Sequence, residues 1–209
     1  MLFNPLVTLP GLLLALVLHE YAHARTADAL GDPTPRNMGR LTLNPIPHID
    51  PIGLLMLFIF RFGWAKPVPV NPYYFKDARR GMLLVAAAGP ATNIVLAFII
   101  RLAMGLLPWQ WMIGGYLPQA LQYAYLINLY LAVFNLLPVP PLDGSRILAG
   151  LVPAETAEFI DSLETYGWLI LVILLWTGIT SRLLLPVVGW LDALLRNLTG
   201  VLLAVTGLG

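Results

Sequence analysis

The sequence predicts an all-α polytopic membrane protein, with about five transmembrane helices and a short membrane-associated β region in the loop at residues 25–80. Three observations carry this expectation. Hydrophobic residues make up 58% of the 209 residues and charged residues 11%, against about 25% charged in soluble domains. The mean hydropathy is +0.78. Several apolar stretches reach the roughly 20 residues a helix needs to cross the hydrocarbon core, and eight of the twelve Lys and Arg residues fall in one loop.

The stretches run from Leu6 to Ala24, Gly81 to Leu107, Tyr116 to Leu137, Leu163 to Leu185, and Leu183 to Val205. The last two meet around Ser181 to Pro186. The final one carries Asp192 and Arg196, four apart, which either pair on one helix face or mark an interfacial helix. Ile52 to Phe62 is too short for a comfortable crossing and is bounded by Pro51 and Gly63-Trp64. It either dips into the membrane and returns or lies along its surface. The N-terminus has no basic leader or small-residue cleavage site, so Leu6 onward reads as a retained span.

Arg25, Arg36, Arg40, Arg61, Lys66, Lys76, Arg79 and Arg80 all lie between the first and second spans. Such an excess marks the cytoplasmic side. The N-terminus is then outside. Arg146 returns to the cytoplasmic side, and Arg182 falls near the opposite face. Trp109, Trp111 and Tyr116 read as interfacial anchors on the outer side. Within the long loop, the alternation in Arg40-Leu41-Thr42-Leu43 and in Lys66-Pro67-Val68-Pro69-Val70 suggests short extended pieces, the prolines confining the second to an edge or an unpaired ribbon. Glu155, Glu158, Asp161 and Glu164 recur every third residue and read as the solvated face of a cytoplasmic helix. The whole chain, 1–209, reads as one membrane-embedded domain, with a core at about 6–150 and C-terminal helices at about 154–209. A net charge of +1 gives no basic face for nucleic acid. With no cysteine in the chain, any metal must be held by nitrogen and oxygen.

The chemistry begins at His19-Glu20-Tyr21-Ala22-His23, inside the first span. Two histidines four apart share a helix face and can hold one metal, with Glu20 beside them to take a proton from metal-bound water. Ionisable groups inside a span are costly, and three within five residues point to function. A catalytic zinc takes three protein ligands plus water. The metzincin extension fails, because Thr26 and Ala29 stand where glycine and histidine are needed, and no glutamate lies between Glu20 and Glu155. Two candidates for the third ligand remain, His48 and Asp143. Asp143 is the stronger: Pro138, Pro140 and Pro141 must break the third span before it, and broken backbone at membrane depth persists beside a cavity. His48 is either a loop histidine that hydrogen-bonds the broken segment or a group that assists near the metal.

The histidine pair, together with Asn135-Leu136-Leu137-Pro138-Val139-Pro140-Pro141-Leu142-Asp143-Gly144, resembles the site-2 protease family of intramembrane zinc proteases. Gly89-Pro90-Ala91-Thr92-Asn93 is similar to that family's Gly-x-x-x-Asn element. The resemblance covers about Leu6 to Gly150. It implies one zinc ion held by His19, His23 and Asp143, Glu20 as general base, Asn135 on the substrate backbone, and a three-helix core around the metal. It leaves the role of Asn93 open. The chain has no room for a PDZ or CBS domain and reads as a minimal member of the family. The function implied is hydrolysis of transmembrane segments of membrane-protein substrates in regulated intramembrane proteolysis. The setting implied is a prokaryotic plasma membrane, with the site near the cytoplasmic face and a regulatory membrane protein as a possible partner. The competing reading from the same ligands is a metal transporter or channel.

Overall fold

The structure, a computed structural model, describes residues 4–60 and 63–207. Arg61 and Phe62 therefore lie outside the described residues, as does the Trp109 side chain. The described chain is helical, in the order α1 (Pro5–Ala29), α2 (Thr34–Asn37), α3 (Pro51–Phe60), α4 (Ala78–Leu106), α5 (Tyr116–Asn135), α6 (Asp143–Leu151), α7 (Ala154–Ser162), α8 (Gly167–Trp176) and α9 (Ile179–Thr206). Local sequence sets the ends of the long helices. Asn4 caps α1, its side chain accepting from the Leu6 amide, and Pro5 fills the first turn where no N–H is needed. Asp77 caps α4 in the same way through the Arg80 amide. The three prolines of 138–141 end the third apolar stretch at Asn135.

Among the described residues, four stretches are long and apolar enough to cross a membrane: Pro5–Ala29, Ala78–Leu106, Ala154–Trp176 and Ile179–Thr206. Helix α5, about 30 Å long, carries the buried Tyr125 and Asn128. Helices α1, α4 and α5 pack together around the predicted motifs. A Cβ on Gly11 would come within 2.8 Å of Ala124, so α1 and α5 touch backbone to backbone there. Tyr125 and Leu129 of α5 form a core with Ala97 of α4 and with Val188, Leu191 and Leu195 of α9.

The direction of α9 differs from the expectation. The Tyr125 hydroxyl donates to Asp192 at 2.7 Å, and Leu203 packs on Gly105 near the end of α4. Helix α9 thus runs parallel to α4, and its first residues stand at the end of the bundle that holds His23 and Asp143. At that same end, Arg79 donates to the Ala149 carbonyl of α6 at 3.0 Å. The stretch 154–176 therefore starts and finishes at one end of the bundle, broken by the turn at Leu163–Tyr166. Helix α8 is ten residues long, about 15 Å. The last two stretches divide at Gly178, which has φ 71°, and Arg182 joins Arg146 at the site end rather than lying opposite it.

The β region is also corrected. Among the described residues, the loop at 25–80 contains no sheet, only one isolated antiparallel bridge between Ile49 and Ala65. Residues 41–43 form bends, and Pro67 and Pro69 have no N–H to give to a ladder. The loop is held by side chains instead: the buried Asp32 accepts from the Thr34 amide at 2.9 Å and from the Asn71 amide at 2.7 Å.

Candidate active site

His19, Glu20 and His23 are all buried on α1, facing α4. Each imidazole is oriented by an acceptor on that helix. His19 Nδ1 lies 2.6 Å from Asn93 Oδ1, and His23 Nδ1 lies 2.7 Å from the Val85 carbonyl. The Asn93 amide cannot turn round, because its Nδ2 donates to the Ala15 carbonyl at 3.2 Å and to Asn128 Oδ1 at 2.9 Å. Asn128 is fixed in turn by donating to the Ala124 carbonyl at 2.8 Å. Both Nδ1 atoms must therefore carry the proton, so that Nε2 is the atom free to act as a ligand in the neutral form of each ring.

Gly89 makes this arrangement possible. A Cβ there would stand 2.5 Å from His19 Cε1 and 2.5 Å from His23 Nε2. The Gly-x-x-x-Asn element thus divides its work: glycine clears space for two rings, and one turn later asparagine orients one of them.

Asp143, the first residue of α6, is brought to the pair by the broken segment. The Leu142 amide bonds the Val139 carbonyl at 2.9 Å, and Ser145 closes the next turn onto the Leu142 carbonyl. Gly144 abuts the end of α5, where a Cβ would lie 2.3 Å from the Leu137 carbonyl oxygen. Asp143 Oδ2 stands 3.2 Å from His19 Nε2 and 3.3 Å from His23 Nε2. It is buried and has no hydrogen-bond donor.

Three potential ligand atoms, all within 4.8 Å of one another, face each other, an arrangement that a bound cation stabilises, as would a proton on one Nε2 paired with Asp143. Zinc bonds of about 2.0–2.2 Å to nitrogen and oxygen set tetrahedral ligand atoms roughly 3.3 Å apart. The two separations measured here agree with that edge, so the residues fit the metal. His48 is not part of this group. It is 2% exposed, and its Nε2 donates to the Thr42 carbonyl at 2.8 Å.

The three ligand atoms open onto a cavity of about 440 Å³ that is also lined by Glu20, Asn135, Trp64 and Trp168. Asn135 ends α5 and donates to its own helix at the Leu131 carbonyl, 3.0 Å away. Glu20 accepts from the Val68 amide at 3.0 Å. That amide belongs to a strap, residues 66–70, laid along the cavity. The Lys66 amide donates to the His48 carbonyl at 2.9 Å, and the buried Arg40 guanidinium donates to the Lys66 carbonyl. Burial pushes the Arg40 guanidinium below its ordinary value, and the facing Glu20 charge opposes that shift. Sequence reading named Val68-Pro69-Val70 only as an extended piece and gave Arg40 and Asn128 no role in the site. The alternating prolines at 67, 69 and 72 were the available signal for the strap, since they leave so few amides that each must be placed.

A polytopic helical bundle that buries two imidazoles and a carboxylate around one point, with a second carboxylate on the same cavity, is a membrane-embedded metalloenzyme. Comparison with known proteins gives the family. The sequence profile described as Peptidase family M50 matches residues 110–177. A Bacillus subtilis protein named as a candidate zinc metalloprotease, YwhC, is 40% identical over 88% of this chain and 89% of its own. Two proteins named as candidate zinc metalloproteases Rip2 are also similar. That of Mycobacterium tuberculosis is 33% identical and that of Mycolicibacterium smegmatis 31%, each over 88% of this chain and 72% of its own. No solved structure matches. The chain belongs to peptidase family M50, the site-2 protease class, and is a zinc metalloprotease.

Proposed function

We propose that the protein hydrolyses peptide bonds within transmembrane segments of membrane-protein substrates, with His19, His23 and Asp143 holding one zinc ion. The observation that carries this reading is the convergence of three potential ligand atoms at the wall of a cavity that also holds Glu20. Zinc bound there supplies Lewis acidity, acidifying water and polarising the scissile carbonyl. The Glu20 carboxylate takes the proton of the attacking water and returns one to the leaving amine. Asn135, at the cavity wall, holds substrate backbone. A substrate helix must unwind to expose its peptide bonds, and of the two extended pieces expected, only the strap can receive it. Its amides at 66 and 68 are already bonded inward, and Pro67 and Pro69 carry none. The substrate therefore pairs by donating its own N–H groups to strap carbonyls.

The site end of the bundle is the cytoplasmic end. Arg146 and Arg182 stand there with the basic loop, which strengthens the charge asymmetry. Water enters from that side, since Arg146, Glu164 and Asp50 line the cavity. The setting that fits is a prokaryotic plasma membrane, and the biological role is regulated intramembrane proteolysis. A metal transporter needs a succession of sites, and among the described residues His19, His23 and Asp143 form the one group of three potential ligands.

The test is Glu20→Gln in the purified protein with a transmembrane substrate. The variant should retain one zinc per chain and lose cleavage; unchanged cleavage refutes the role of Glu20. Asp143→Ala should deplete zinc and His48→Ala should not, and the opposite pattern refutes the ligand assignment.

A further inference from the structure

A second cavity, about 130 Å³, lies beside the first. Its walls include Leu9, Leu12 and Leu13 of α1 and Leu54 and Leu57 of α3. The two spaces share Leu16, Asp50, Gly63, Trp64, Ala65 and Leu131, so they adjoin through a common wall. Leu16 is three residues, about 4.5 Å of helix rise, before His19, and Leu9 is ten residues, about 15 Å, before it. The second cavity therefore extends from the metal ligands toward the far end of the bundle, deeper in the membrane.

Its size and lining define the occupant. A helix is about 10 Å across with its side chains and cannot enter, whereas one large apolar side chain can. The wall also holds His48. Its Nε2 donates to the Thr42 carbonyl, so Nδ1 keeps its lone pair, and this buried acceptor has no partner. An unwound peptide brings an apolar side chain and a backbone N–H together. A lipid chain brings no donor. An extended chain advances about 3.3 Å per residue, so the 4.5 Å offset corresponds to one or two residues from the scissile bond.

We propose that this cavity is a specificity subsite. It takes the large apolar side chain of the substrate residue one or two positions from the scissile bond, on the side nearer the bilayer centre, while His48 Nδ1 accepts an N–H from the unwound backbone. The proposal rests on the proteolytic reading. It makes Leu12 and Leu54, from opposite walls, determinants of which bond is cut.

The experiment uses the zinc-loaded full chain in phospholipid vesicles. The probes are synthetic single-span peptides of about 20 Leu and Ala residues with a Gly-Asn break near the cytoplasmic end. The two positions beyond the break are varied among Gly, Ala, Leu and Phe, and products are read by mass spectrometry. The wild-type protein should favour Leu or Phe over Gly by about 10–100-fold in kcat/KM. Leu54→Trp, which fills the cavity, should invert that order, and so should Leu12→Trp from the other wall. A flat wild-type preference, or variants that lower all peptides alike, overturns the proposal.

Occupancy is read separately from catalysis. The chain has no cysteine, so Glu20→Gln/Leu54→Cys carries a single thiol, and its disulfide with a peptide cysteine is told by mass from one between two copies of the protein. It should form with a peptide cysteine on the bilayer side of the break and not on the other side. Crosslinking without cleavage by the wild-type protein leaves the subsite standing and sinks the protease reading. Cleavage with neither preference nor crosslink sinks the subsite and shows that lipid or nothing fills the cavity.

Discussion

Gly89→Ala separates the metal centre from the fold. An alanine Cβ would stand 2.5 Å from His19 Cε1 and from His23 Nε2, and 2.6 Å from His19 Nε2, where ordinary contact begins near 3.5 Å. About 1 Å must be found. Asn93 and Val85 hold both rings from behind, and α4 packs against both α1 and α5, so the rings cannot all retreat together. Metal–ligand distances tolerate roughly 0.2 Å, far less than the required movement. The helix itself gains from the change, since alanine is favoured over glycine by about 1 kcal/mol in a helix interior. The variant should therefore fold as a helical membrane protein but bind zinc at least 10–100-fold more weakly. The assay is zinc per chain by elemental mass spectrometry after dialysis against graded chelator, with circular dichroism as the folding control. A folded Gly89→Ala protein that holds zinc like the wild type would refute the packing argument.

Asn93→Ala removes the acceptor that fixes the His19 tautomer, and zinc affinity should fall about 10–100-fold in the same chelator titration while Glu20 is untouched. Val68→Pro deletes the amide bonded to Glu20 in a segment whose flanking prolines already suit that backbone. It should keep stoichiometric zinc and lower kcat rather than raise KM; a change in KM alone would mean that the strap serves only substrate. Tyr125→Phe removes the hydrogen bond that ties α5 to Asp192 on α9. It should cost about 1 kcal/mol in reversible unfolding from detergent with zinc retained.

The helices and the residues that converge at the cavity were legible in the sequence for different reasons. Apolar length is a local property, so α1, α4 and α5 could be located from hydropathy. His19 and His23 share a face because helix geometry dictates it. Asp143 could be argued from prolines that forbid a continuous helix. Asn93 could be noticed but given no role: its purpose comes from Ala15 and Asn128, which flank it from two other helices. The strap was read as an extended piece at an edge or as an unpaired ribbon, and it is unpaired for a related reason. Val68-Pro69-Val70 alternates like a strand, yet its amides go to a side chain and a loop carbonyl, choices set by tertiary packing. Leu163 to Leu185 has the length of a span, but hydropathy does not record that Gly178 turns the chain or which end of the bundle it turns at.

That last point has consequences for the topology of the whole chain. Five successive crossings would place Asn4 and Thr206 on opposite sides of the membrane. In the structure α9 lies parallel to α4, fixed by Tyr125 on Asp192 and by Leu203 on Gly105, which predicts four crossings, by α1, α4, α5 and α9, in place of five. Asn4 and Thr206 then lie at the same end, away from the metal ligands, while Glu164 and Arg182 share the other. Single cysteines at these four positions, in a chain that has no cysteine, can be labelled in intact cells with a thiol reagent that does not cross membranes. Asn4→Cys and Thr206→Cys should both react, and Glu164→Cys and Arg182→Cys only after lysis. Labelling of Arg182→Cys in intact cells with Thr206→Cys protected would refute the parallel packing of α9. It would also restore α8 to a crossing, which its helical rise of about 15 Å against a core of about 30 Å opposes.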